Sequence, residues 1–189
     1  MTNISKTFRP ALFIFISLTI LCGVVYTSVV TGIAQLIFPN QSNGSIVTVT
    51  LKNGTKKDVG SELIAQKFTE PNYLIGRPIG TTNLSPVSAE QEKLVHDRID
   101  WWHKFDPDNK SDIPMDLVTA SGSGVDPYIS PEAAEYQVSR IAKTRGISED
   151  NVRKIINQYT TDRFLEFIGE PGVNVLNVNL ALDGLYKGL

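Results

Sequence analysis

A single N-terminal transmembrane helix followed by one compact extracytoplasmic α+β domain is the architecture predicted for this chain, and three observations predict it. Residues 11–38 are 28 consecutive positions without a charge. The stretch from Ile46 to Leu51 is rich in β-branched residues and runs into Asn53-Gly54, a hairpin turn signal. Beyond it, capped stretches of helical periodicity alternate with loops rich in Gly, Pro and Ser. The 189 residues leave room for one anchor and one domain, because domains commonly occupy roughly 100–150 residues. The expected division is a cytoplasmic tail over 1–10, a transmembrane helix over 11–38 and an accessory domain over 39–189.

The anchor carries the class assignment. At about 1.5 Å per residue its length exceeds the ~30 Å hydrocarbon core of a bilayer, so it spans with tilt. Pro10 suits the first turn of a helix, and Pro39 closes the run after Phe38. A cleaved signal peptide is the competing reading, with Lys6 and Arg9 as its basic region and Gly32-Ile33-Ala34 as its cleavage site. The apolar stretch is about twice the usual signal length, and Leu36, Ile37 and Phe38 continue it past that point. Lys6 and Arg9 precede the span and no basic residue follows closely, which places the N-terminus in the cytoplasm. Gly23, Thr27, Thr31 and Gln35 recur every fourth residue and predict a face that packs on a partner helix. Ser28 and Gly32 form a neighbouring pair of small residues.

Charge and composition exclude several classes. All 20 acidic residues lie beyond Phe38 against sixteen basic ones, a net −4 that offers no basic face for nucleic acid. Cys22, the single cysteine, falls within the apolar run and reads as a small hydrophobe. His96 and His103 stand seven apart on a predicted helix beside Asp97, Asp100 and Asp106, and read as solvated polar residues and not as metal ligands.

Within the domain, Ser61 is expected to cap a short helix carrying Leu63, Ile64 and Phe68, ahead of a Pro, Gly and Asn rich loop to Ser85. Ser88 with Gln91 forms a capping box opening a helix whose Leu94, Val95, Ile99, Trp102 and Phe105 share a face until Asp106-Pro107. Trp101 and Trp102 read as edge and core. Ser130-Pro131-Glu132 starts a helix with Val138, Ile141 and Ala142 inside and Gly146 at its end. Ser148 caps the next one, which carries Val152, Ile155, Ile156 and Tyr159. Periodicity leaves Val173 to Leu182 open between a bulged strand and a last helix.

The segment from Thr119 to Pro131 is the least ordinary one. Its Ser121, Gly122, Ser123 and Gly124, then Asp126, Pro127 and Ser130, lead the chain into a helix N-terminus, where backbone N–H groups can face an anion. No Gly-Lys-Ser/Thr closes it, so it is not a P-loop, and a tight structural loop is the plainer reading.

Taken together, TASGSGVDPYISPEAAEYQVSRIAKTRGIS and the later FIGEPGVNVLNVNLALDGL resemble the C subunit of the Kdp-type potassium-transporting ATPase. The resemblance extends to RPAL at the entry to the span, VGSELIAQKF from Val59 to Phe68, the Arg77-Pro78 pair and DLVTASGSG from Asp116. Tyr128 departs from the His or Asn that members often carry there. The resemblance implies a bacterial cell-membrane pump with a potassium-conducting, channel-like subunit and an ATP-hydrolysing P-type subunit as partners, in contact with membrane lipid. This chain would assist assembly and activity without an active site. It would bind no cofactor stably, and ATP only in complex with the catalytic subunit. The Asp-Lys-Thr-Gly of a P-type phosphorylation site is absent from the sequence. Family proposals assign nucleotide contact to the loop and to the glutamine of AAxxQ, here Gln137; the predicted outward orientation favours control of ion entry, through acids such as Asp126 and Glu132. A free-standing tethered anion-binding or sensor module is the alternative, and an enzyme ranks third.

Overall fold

The computed structural model describes residues 4–185. The first three residues of the expected tail and the last four of the expected domain lie outside the described residues. The chain divides into two compact units, Met1–Ser45 and Ile46–Leu189.

The first unit is one long helical run. Helix α1 (Ile4–Thr19) continues through a π-helical segment (Ile20–Tyr26) into α2 (Thr27–Ile37), and a short α3 (Pro39–Ser42) follows. Thr7–Ile37 is long and apolar enough to cross a membrane, and none of it is buried within the protein. Pro10 lies inside α1 and not in its first turn as the sequence suggested. A proline removes one backbone donor but keeps a helix-compatible φ, so the turns on either side carry the helix through it. At the far end the backbone leaves the helix at Phe38 (φ −131°, ψ 59°), and Pro39 opens α3 as expected of a residue that cannot extend the preceding turn.

The second unit begins with a hairpin, β1 (Ile46–Thr50) and β2 (Lys56–Ser61), paired antiparallel with a bulge between Val47 and Thr48. Val47 and Val49 alternate inward and pack on Leu176 and Leu180. The helix expected after Ser61 does not form. The Ser61 hydroxyl accepts from Leu63 N at 3.1 Å in a turn, and Ala65 N donates to Val125 O at 2.8 Å, so tertiary pairing holds the chain extended against its local preference.

Helix α4 (Ala89–Phe105) is capped by Ser88, whose hydroxyl accepts from Gln91 N at 3.2 Å. Trp102 is buried and Trp101 stands at the edge, stacked on Phe105 with ring centroids 4.4 Å apart. A 3-10 turn (Met115–Leu117) and β3 (Tyr128–Ile129) lead to α5 (Pro131–Glu135), α6 (Val138–Arg145), α7 (Glu149–Gln158), β4 (Thr160–Thr161), β5 (Gly172–Asn174) and α8 (Val175–Leu182). The single helix expected from Pro131 is broken at Tyr136-Gln137, where the Gln137 side chain bonds to the Ile75 backbone. Gly146 closes α6 in the left-handed conformation (φ 66°), and Ser148 caps α7. The three short strands form an antiparallel sheet in the order β3-β5-β4.

Helix α8 joins the two cores. Val175 and Val178 belong to the main cluster with Trp102, Ile129, Ile141, Val152 and Val173, while Leu176 and Leu180 meet the β1-β2 hairpin. A helix apolar on opposite faces has no single stripe, which is why its pattern resembled a strand as much as a helix.

Candidate functional site

The Gly/Ser loop is held by its own side chains. Gly124 N and Asp126 N donate to Ser121 Oγ at 3.0 and 3.4 Å, and Val125 N donates to Ser123 Oγ at 3.3 Å. Asp126 Oδ1 accepts from Tyr128 N at 3.0 Å. The amides of Gly124, Val125, Asp126 and Tyr128 are therefore engaged internally and turned away from any anion. Below the loop, Asp116 pairs with Arg77 and accepts from Ser130 N at 2.7 Å, while Asp126 lies 3.7 Å from Arg77 Nε. Ser130 Oγ caps α5 by accepting from Ala133 N at 3.2 Å. Ser121, Ser123, Gly124, Asp126 and Ser130 thus join one hydrogen-bonded assembly around Arg77 and Asp116, with Gly122 and Pro127 in the same loop.

Gly124 is the closest fit in it. Its φ is +70°, and a Cβ there would sit 2.6 Å from the carbonyl carbon of Gly80, whose N–H donates to Gly124 O at 2.9 Å. Gly124→Ala is expected to cost about 1–3 kcal/mol, from left-handed strain and the displaced Gly80-Thr81 segment. Thermal unfolding of the full chain in detergent measures it.

Gln137 is placed elsewhere in character. It is completely buried, and all of its amide valences are used. Its Oε1 accepts from Ile75 N at 2.8 Å and from Arg140 Nη2 at 2.7 Å. Its Nε2 donates to Ile75 O at 2.9 Å and Ala133 O at 3.1 Å. The break between α5 and α6 falls at this residue (φ −98°, ψ −7°), which turns the amide toward Ile75. Asn179 on α8 does the same one residue earlier, with Oδ1 accepting from Leu74 N at 2.8 Å and Nδ2 donating to Leu74 O at 2.9 Å.

Together with two arginines these amides clasp the segment 71–75, which dives inward to the buried Leu74 and Ile75 and has no strand partner. Arg140 Nη1 donates to the carbonyls of Pro71 and Tyr73, and Arg145 Nε donates to Asn72 O at 2.6 Å. Every carbonyl from Pro71 to Ile75 therefore accepts from a side chain, a requirement for the buried Leu74 and Ile75. Arg140 is itself buried and lies 4.0 Å from the Asp106 carboxylate. Burial pushes its guanidinium down to about 10, opposed by Asp106 and Tyr136. The sequence marked the loop around Tyr73 but gave no sign of the clasp; a Leu-Ile pair inside a Pro, Asn and Gly rich stretch was the available hint.

In the apolar helical run, Gly23 falls within the π-helical segment, whereas Thr27, Thr31 and Gln35 lie on α2. The wider π spacing changes the rotation of Gly23 relative to the other three. Thr27 Oγ1 donates back to Cys22 O at 3.0 Å. The amide of Gln35 pairs reciprocally with that of Asn43, both contacts at 3.1 Å, so it finds its partner within its own unit.

An open groove of about 1310 Å³ is lined by Phe105, Asp106, Tyr136, Arg140 and Lys143 among others. Two charge pairs lie in it, Lys143 with Asp108 at 2.6 Å and Arg153 with Glu135 at 2.7 Å. No group of three or more His, Cys, Asp and Glu side chains converges as a metal site among the described residues.

Comparison with known proteins decides the class. The family model described as "KdpC: K+-transporting ATPase, c chain" matches residues 8–184. The chain belongs to the KdpC family. Similar proteins named potassium-transporting ATPase KdpC subunit include one from Listeria monocytogenes (strain HCC23), 54% identical over 98% of this chain and 99% of its own. One from Clostridium botulinum is 44% identical over 99% and 100%, and one from Janthinobacterium is 45% identical over 94% and 98%. The match covers both the apolar helix and the folded unit, so KdpC membership applies to the whole architecture, a subunit of a potassium-transporting ATPase with a candidate transmembrane helix.

Proposed function

We propose that this chain is the non-catalytic accessory subunit of a high-affinity, ATP-driven potassium uptake pump in the bacterial cell membrane. Its single span would anchor an extracytoplasmic domain that assists assembly and controls ion entry. The observation that carries the reading is family membership along nearly the whole chain, from the apolar helix to the end of the folded unit. The ATP chemistry would belong to a P-type partner, with a channel-like partner conducting potassium. A direct role for the Gly/Ser loop in holding ATP is the second reading. It is less well supported, because the amides of Gly124, Val125 and Asp126 are engaged internally and Gln137 has no free valence.

Orientation separates the two. Lys6 and Arg9 ahead of the span support an outward domain. With Cys22 replaced and Ser111→Cys introduced on the exposed loop, an impermeant thiol reagent is expected to label intact cells. Protection in intact cells with labelling after lysis would make the nucleotide reading the leading one. For an outward domain, Asp126 and the exposed Glu132 are positioned to raise local cation concentration. The pair of changes Asp126→Asn and Glu132→Gln is expected to weaken apparent potassium affinity several-fold in uptake assays; an unchanged value would remove these acids from the mechanism.

A further inference from the structure

Along the sequence of the described residues of the folded unit, exposed large apolar side chains occur singly or as the pair Leu63-Ile64, with one exception. Between β4 and β5 the chain projects as a hairpin extension, Asp162 to Pro171, whose tip exposes Phe164 (68%), Leu165 (62%), Phe167 (73%) and Ile168 (50%). The tip is ordered by its own bonds. Phe164 N donates to Ile168 O at 2.8 Å, and Ile168 N donates to Phe164 O at 2.9 Å. The neck is tied by Arg163 and Glu170 at 2.8 Å. Leu165 and Glu166 both adopt positive φ, 52° and 70°, a conformation unfavourable for side-chain-bearing residues. A patch of this kind, unfavourable in water and built on a strained turn, is characteristic of an interaction surface.

The charges around it identify the kind of occupant. Asp162, Glu166 and Glu170 surround the tip, and its one basic residue, Arg163, is already paired with Glu170. An anionic lipid surface would repel that rim, and the tip offers neither unpaired basic residues nor Trp or Tyr for a headgroup region. A second copy would bring the same acidic rim against itself. A protein socket with an apolar floor and Lys or Arg at its edge complements both features. We infer that the 162–171 hairpin docks into such a socket on another subunit of the pump, which rests on the accessory-subunit reading above.

The test places a photoreactive benzophenone side chain at Phe167 in the full chain, co-expressed with the other pump subunits and irradiated in membranes. The same probe at the exposed Val87 serves as control. A covalent adduct with a larger pump subunit is expected from position 167 and not from 87, and Glu166→Lys should reduce its yield at least several-fold. An adduct with a second copy of this chain, adducts with lipid alone, equal adducts from both positions, or a yield unmoved by Glu166→Lys would overturn the inference. If the unmodified chain does not leave the membrane with larger subunits at all, the accessory-subunit reading fails first, and the two failures are thereby distinguished.

Discussion

Gln137→Ala is expected to lower the folding stability of the domain by about 3–5 kcal/mol. The change leaves Ile75 N and Ile75 O without partners in a fully buried place, frees Arg140 Nη2, and opens a cavity where the side chain stood. Each unsatisfied buried group costs about 1–3 kcal/mol, and the cavity adds to it. Asn179→Ala removes two such bonds in place of four and should cost less. Denaturant unfolding of the full chain in detergent gives both values. A glutamine serving chiefly to hold nucleotide would behave otherwise, lowering ATP affinity of the complex while leaving the unfolding midpoint in place.

Arg140→Met has the second large effect, again about 3–5 kcal/mol, because methionine keeps much of the apolar stem but strands Asp106 as a buried charge. The carbonyls of Pro71 and Tyr73 lose their donor at the same time. Because Arg140 and Gln137 share a bond of 2.7 Å, the double variant should lose measurably less than the two single losses added together. The sign of any pH effect follows from the lowered guanidinium. With a folded value of about 10, well below its value in the unfolded chain, the group is charged in both states below pH 9 and gives stability no slope there. Above pH 10 the unfolded chain holds the proton more tightly, so this group's contribution rises with pH until the unfolded guanidinium titrates as well.

Local signals in the sequence were reliable where local chemistry decides. The Asn53-Gly54 turn, the Ser88, Ser130 and Ser148 caps and the Gly146 stop all mark the ends they were expected to mark. Expectations failed where long-range bonds outweigh local preference. The Ser61 helix is lost to pairing with Val125, and the Pro131 helix breaks so that Gln137 can reach Ile75. Pro10 is tolerated within α1 because the apolar helix continues on both sides of it.

The candidate loop was legible as a loop, with its Ser and Gly residues named. Their internal hydrogen bonds were not, because Arg77, Asp116 and Ser130 meet only in three dimensions. The clasp on residues 71–75 was invisible for the same reason: a buried amide reads like any other Gln or Asn until its partners are known. The hairpin tip carried no signal of its own in the sequence, and Phe164, Leu165, Phe167 and Ile168, residue types usual in cores, stand in solvent in the fold.

The central claim is that this chain works as a subunit of a larger pump, and co-purification tests it most directly. A tagged full chain, extracted in mild detergent from cells grown under potassium limitation, is predicted to emerge with larger proteins whose ATP hydrolysis responds to potassium. A homogeneous species of the 20.8 kDa chain alone, with no associated ATPase, would contradict it.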